Sequence, residues 1–236
     1  MPFTFPAYTD TLLDRGFFIA AYNREWKIPE WIAYRIHKDI LMGTAEKTDE
    51  LRYDEDIPVE QQAHFSTYMK SDYDKGYMAP PETIGISNSA MSAANLLINI
   101  APRTPRLHRY TWTYLERDVR NLVNVYQDVW VITGCLFLKG NLLKSDPETI
   151  DNYIANQVAV PTHFYKAILG RHKDDSYEAF AFLLPNQFDP IKGDMLDFNF
   201  SILELEAITG LEFFTDLPDS AETAFKGRKA NIWPIK

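Results

Sequence analysis

The chain has 236 residues, 46% hydrophobic and 24% charged, an ordinary globular mixture long enough to bury a sizeable core. Its formal net charge is -9, from 33 acidic residues against 24 Lys and Arg. That excludes a chain that is basic overall, the usual footprint of a protein that lives on phosphate contacts.

No Gly/Ser linker, low-complexity tract or fixed-period repeat divides the sequence, so a single domain over residues 1–236 is expected. Asp10, Asp14, Arg15 and Arg24 interrupt the N-terminal region, and no secretory signal is expected there. The apolar, aromatic run Gly16 to Asn23 predicts a strand, and Trp31 to His37 predicts its partner; the turn residues between them make a hairpin. Residues 43–62 are polar and read as a long surface loop. Ser89 to Asn95 is helix-prone, and Pro102 and Pro105 stop any helix. His108 to Tyr126 is the clearest helix, because Trp112, Leu115, Val119, Leu122, Val123 and Tyr126 recur at three- and four-residue spacings. Residues 100–120 carry five Arg against Glu116 and Asp118, a local basic patch in an acidic protein. Val129 to Leu138 predicts a buried strand and is too short to span a bilayer. It holds the single cysteine, Cys135, which can form no intrachain disulfide and reads as a buried structural thiol. Val158 to Leu169 and Tyr177 to Leu184 predict two more strands, with Pro161 suggesting an edge or bulge in the first. Ser201 to Thr209 predicts a short amphipathic helix ended by Gly210. Residues 194–222 hold eight acids and no Lys or Arg, either a solvated face or a surface for a protein partner. Strands and helices mix without strict alternation, which predicts an α+β fold.

Several segments, in order, resemble one family. Gly16 to Tyr34 resembles the opening hairpin of the DNA/RNA non-specific endonucleases, which include mitochondrial endonuclease G. Tyr73 to Pro80 (YDKGYMAP) is similar to that family's Asp-Arg-Gly-His signature. Leu97 to Pro105 (LINIAPRTP) is similar to its Ser-Asn-x-x-Pro-Gln segment, and Leu107 to Arg120 to its Asn-x-x-x-Trp-x-x-Leu-Glu helix. Val129 to Phe137 resembles its Val-x-Val-x-Thr-Gly strand, and Val158 to Lys166 is especially close to the endonuclease G branch. The resemblance covers roughly residues 15 to 215. It implies a central, mostly antiparallel sheet flanked by helices and containing a ββα-metal (His-Me finger) motif. It also implies that a histidine acts as general base, that an asparagine and waters hold one Mg²⁺, and that basic groups hold the phosphate. A mitochondrial setting is implied as well.

The chain departs from that pattern where the chemistry sits. Tyr77 stands at the histidine position, Lys75 at the arginine position, His108 at the metal-ligand asparagine and Arg103 at the glutamine; Asp74, Gly76, Pro80, Asn99, Pro102, Trp112, Leu115 and Glu116 keep the framework. An unperturbed phenol, with a pKa of roughly 10, is a poor base at neutral pH. Imidazole suits Zn²⁺ and similar ions better than Mg²⁺. Lysine keeps the charge of arginine without its bidentate fork. Tyr77, Lys75 and Glu116 are thus the candidate catalytic positions, vestigial or re-tuned. His108 is the candidate metal ligand or else a residue at the helix start. Arg103, Arg106 and Arg109 are candidate phosphate binders or else face an acidic partner. On a uniform helix Glu116 reaches the same site as His108, or pairs with Arg120. His163 reads as structural, and His37, His64 and His172 show no constellation. Two readings follow. One is a pseudonuclease that keeps the fold for a binding or structural role, with protein partners or a homodimer and only weak nucleic-acid binding. The other is an active endonuclease with a re-tuned site and one divalent metal, Mg, Mn or Zn.

Overall fold

The computed structural model describes residues 5–8, 10–36, 38–39, 45–46, 48, 50–139, 150–215, 217, 222 and 225–229. His37, residues 43, 44, 47 and 49 of the expected loop, and Asp216 and Asp219 of the acidic stretch lie outside them. In chain order the strands are β1 (Thr11–Asp14), β2 (Phe18–Asn23), β3 (Ile28–Ile36), β4 (Asp74–Tyr77), β5 (Ile100–Arg103), β6 (Asp128–Leu136), β7 (Tyr153–Ile154), β8 (Val158–Ala159), β9 (His163–Arg171), β10 (Tyr177–Pro185) and β11 (Asn199–Phe200). The α-helices are α1 (Pro81–Ile84), α2 (Asn88–Ala94), α3 (Thr113–Asn121) and α4 (Ile202–Thr209).

Seven strands form one sheet in the order β1-β2-β3-β6-β9-β10-β11, and every neighbouring pair is antiparallel. The expected hairpin is β2–β3, with Phe18 opposite Tyr34. The middle strands β6 and β9 are buried along nearly their whole length, because each face carries a layer. Val129, Val131, Cys135, Phe164 and Ile168 point into one core, which also holds Trp112, Leu115, Val119, Leu122, Val123 and Tyr126 of the long helix. Trp130, Ile132, Tyr165, Ala167 and Leu169 point into a second core, closed by Ile202, Leu205 and Ile208 of α4 and by Phe213 and Phe214. The period-2 alternation of two strands therefore sets both cores. Helix α4 is bounded as its sequence dictates: Ser201 and Glu204 form a capping box, and Gly210 ends it at φ 71°.

Two expectations are corrected. Pro161 lies neither on an edge strand nor in a bulge; it sits in the break between β8 and β9, and β9 is a central strand. The polar stretch before residue 62 is not all surface. Asp54 and Gln62 are buried, Gln62 Nε2 donates to the carbonyls of Asp54 and Ile57, and Arg15 clasps the Asp54 carboxylate at 2.6 Å. The acidic stretch is partly neutralised from just beyond it, by Lys226 on Glu206 and Glu222 and by Lys229 on Glu204.

Candidate active site: a ββα finger with substituted chemistry

Strands β4 and β5 form a separate two-stranded ribbon, and the long helix follows directly. Together they make a ββα finger packed on one face of the sheet. The ribbon is set by three features. Asn99 is fully buried; its Nδ2 donates to the carbonyls of Ala79 and Ala94, and its Oδ1 accepts from the Ala79 amide at 2.8 Å. Gly76 leaves room where a Cβ would meet Ala101 O at 2.8 Å and the Arg103 side chain at 2.9 Å. Asp74 accepts two bonds of 2.7 Å from Arg109, which ties the first ribbon residue to the helix.

The helix opens with π-helical turns over Leu107–Trp112 before continuing as α3 and closing with a 3-10 turn over Leu122–Asn124. Thr104 starts it: its carbonyl accepts from the His108 amide at 2.9 Å and its hydroxyl from the Leu107 amide at 3.4 Å. Thr113 Oγ1 donates to the His108 carbonyl at 2.6 Å. A π-turn bonds i to i+5 and recurs at functional sites. Here it covers the very residues that carry His108, Arg109 and Tyr110.

Tyr77 ends β4. Its hydroxyl donates to Asn95 Oδ1 at 2.9 Å, and Asn95 Nδ2 donates on to the carbonyl of Thr48 at 2.8 Å. The phenol thus serves as a tie between the ribbon and the end of α2. His108 is half-buried, and its Nδ1 is buried without a hydrogen-bond partner. Burial, with help from the Arg103 charge, pushes its pKa down to about 4, so the ring is neutral.

Arg103 is separated from Arg106 and Arg109, with which it was expected to bind phosphate. It is 1% exposed, whereas both of the others are solvent-facing. Its guanidinium lies 4.3 Å over the Trp112 ring and 4.7 Å over Phe164, and Nη2 donates to the backbone carbonyl of Tyr77 at 3.2 Å. Burial pulls its pKa down to about 10, so it stays cationic at neutral pH. Glu116 does not pair with Arg120 as expected; its Oε1 accepts from Trp112 Nε1 at 2.6 Å. Below it lies Lys166, fully buried, donating to Thr133 Oγ1 at 2.8 Å and to the Tyr34 hydroxyl at 3.3 Å, with its ammonium 4.8 Å over the Trp112 ring. Burial raises Glu116 and lowers Lys166 to about 7, each opposed by the other's charge. Lys75 sits in β4 opposite Pro102, half-buried. His163 bonds Thr162, His64 bonds Ser66, and His172 lies tilted against the Tyr126 ring; none of these contacts reaches the finger's named groups. Sequence reasoning missed Asn95 and Lys166. A lysine inside the apolar run of β9 was the available signal for the second.

The pattern of the DNA/RNA non-specific endonuclease family matches residues 1–220. The chain belongs to the DNA/RNA non-specific endonuclease family. Nuclease C1 of Cunninghamella echinulata var. echinulata is 32% identical over 216 residues, covering 90% of this chain and 86% of that protein. The mitochondrial nuclease of Saccharomyces cerevisiae is 33% identical over 240 residues, covering 93% and 70%. The crystal structure of the EndoG/EndoGI complex, which concerns the mechanism of EndoG inhibition, matches with a TM-score of 0.78 at 27% identity, covering 90% of this chain and 89% of that one. The likeness confirms the α+β fold with a mostly antiparallel central sheet.

The DNA/RNA non-specific endonuclease family implies a divalent ion, and the residues at this finger do not fit Mg²⁺. That ion requires oxygen ligands in near-octahedral order. The Asp74 carboxylate is held bidentate by Arg109, the Glu116 oxygen by Trp112, and the ligand position offers imidazole nitrogen. The Arg103 guanidinium adds a fixed positive charge between the two substituted positions. Among the described residues, no group of three or more His, Cys, Asp or Glu is placed to hold an ion.

Proposed function

We propose that this chain is a catalytically impaired member of its endonuclease family: one endonuclease-like domain, kept for a binding or structural role in an assembly. The observation that carries the reading is the Tyr77 hydroxyl. At the position of the family's base it is donated to Asn95 at 2.9 Å, and its proton is thereby committed to a structural bond. An unperturbed phenol is a weak base at neutral pH, and loss of a general base costs about 10² to 10⁴ in rate. Arg103 supports the same reading, because it fills the interior beside Tyr77 with a cation that no divalent ion needs to supply. The roles of Lys75 and Glu116 are then vestigial, and those of Arg106 and Arg109 are electrostatic. Protein partners or a second copy of the chain complete the assembly. A mitochondrial setting is proposed from relatives named as mitochondrial nucleases.

A second reading, an active endonuclease re-tuned around Tyr77 and His108, is favoured by one observation: the buried Nδ1 of a neutral His108 has no hydrogen-bond partner. An imidazole lone pair of that kind suits Zn²⁺ better than Mg²⁺.

Plasmid nicking across Mg²⁺, Mn²⁺ and Zn²⁺ separates the two. Under the first reading the natural chain gives little or no cleavage with any ion. Tyr77→His with His108→Asn, further combined with Arg103→Gln, restores Mg²⁺-dependent cleavage in a strongly non-additive way, as groups acting as one unit do. Efficient nicking by the natural chain that Tyr77→Phe abolishes would overturn the first reading.

A further inference from the structure

The core beneath the long helix holds a lysine that the finger's chemistry does not use. Lys166 is fully buried and reaches Trp112 of the helix from the middle of the sheet. An ammonium carries three N–H donors and no acceptor. Two oxygens stand within reach, Thr133 Oγ1 at 2.8 Å from β6 and the Tyr34 hydroxyl at 3.3 Å from β3. The third N–H has only ring faces, Trp112 at 4.8 Å and Tyr34 at 5.7 Å, and Trp112 already carries the Arg103 guanidinium at 4.3 Å. A neutral amine fits the same surroundings better. It donates to Thr133, its lone pair accepts from the Tyr34 O–H, and one uncharged N–H is left over the rings.

The neighbouring charges act in the same sense. Two buried cations, Lys166 and Arg103, face one half-buried carboxylate, Glu116. That carboxylate gives its 2.6 Å bond to Trp112 Nε1 and forms no ion pair with either cation among the described residues. Arg120, half-buried on the same helix, adds positive charge. Tyr34 on β3 and Cys135 on β6 are kept protonated by burial, and the β10 residue opposite Lys166 is Phe182, so none of them brings a negative charge. Burial lowers the amine to about 7; Glu116 opposes this, and Arg103 and Arg120 reinforce it.

We propose that Lys166 is a proton-operated latch for the helix of the finger: the neutral amine lets the helix dock on the sheet, and taking up a proton loosens that docking from beneath Trp112. The latch acts from the core on the helix that carries His108 and Arg109, and it operates whether or not the finger cuts. Once the core opens, the amine returns to about 10.4. Between about 7 and that value the open state binds the extra proton, so docking is weakest at and below about pH 7 and strengthens as the pH rises toward about 10.

The test follows the amine itself. In the full chain with isotope-labelled lysine, NMR tracks the lysine Cε signals from about pH 5 to about pH 10. One signal should titrate with a midpoint near 7 and be missing from Lys166→Met. Hydrogen exchange over residues 107–121, corrected for intrinsic rates, should gain up to roughly tenfold in protection per pH unit above that midpoint, and Lys166→Met should lose this dependence. Should Lys166→Met fail to fold, Glu116→Gln takes its place: loss of the opposing carboxylate should lower the midpoint by about one pH unit or more. Lysine signals that all titrate near about 10, a midpoint that Glu116→Gln does not move, a neutral-range midpoint with no change in helix protection, or a pH dependence that survives Lys166→Met would each overturn the latch. Plasmid nicking by the natural chain would overturn catalytic impairment and leave these outcomes as they are, so the two failures are distinguishable.

Discussion

At the scale of single residues, the substitutions in the finger are integrated into its packing. Tyr77 bonds Asn95, and Asn95 bonds the chain at Thr48, so the phenol closes a short polar relay. Tyr77→Phe removes the donor and leaves Asn95 Oδ1 short of a partner. The expected cost is about 1 kcal/mol, read as a shift in the urea midpoint at unchanged slope, with no change in nicking. A variant as stable as the natural chain would show that the bond contributes nothing. Residue identity could be read from the sequence at these positions, but residue placement could not. Arg103 looked like a surface cation because arginine is rarely buried unless paired. Of its actual partners, the ring of Trp112 comes from the helix that follows and that of Phe164 from the distant strand β9. Arg109 is likewise taken up by Asp74, 35 positions away.

At the scale of elements, strong local periodicity was legible and short ribbons were not. The β2–β3 hairpin, the central strands, and α4 with its cap and terminal glycine all announce themselves through alternation, apolar runs or capping residues. Strands β4 and β5 are four residues each, and one contains Pro102, so no period develops; only the resemblance to a family pointed to them. A uniform α-helical angle does not describe this helix face. The π-turns over Leu107–Trp112 take fewer degrees per residue, and the phase between His108 and Glu116 computed for a plain helix does not carry across them. The ribbon itself depends on the bare Cα at Gly76. Gly76→Ala places a methyl 2.8 Å from the carbonyl oxygen of Ala101, which is backbone and cannot turn aside. The variant should lose about 1–3 kcal/mol and a matching share of its melting temperature. An unchanged melting curve would mean that the ribbon relaxes freely.

At the scale of the whole molecule, acid stability follows from rings kept neutral. His108 is pushed down to about 4 and His163 is also lowered, both first by burial. In the unfolded chain each returns to roughly 6.5. Between those values the unfolded state binds more protons, so stability is fully present above about pH 6.5 and falls as the pH drops toward about 4. His108 accounts for about 1–3 kcal/mol of that loss. Asp128 behaves differently. Burial raises it, but Arg171 and Arg35 hold it below its ordinary value, so its contribution is lost only at lower pH. Urea unfolding between neutrality and about pH 4 should therefore show a shallower decline for His108→Asn than for the natural chain. Parallel curves would assign the acid lability elsewhere.

Cys135, the only cysteine in the chain, lies in β6 near the middle of the seven-stranded sheet, 7% exposed, with its thiol pushed up by burial. A reagent that needs the thiolate meets neither access nor ionisation while the sheet is closed. The molecule thereby carries its own clock: the pace of thiol labelling counts how often the centre of the sheet comes open, with no foreign probe installed.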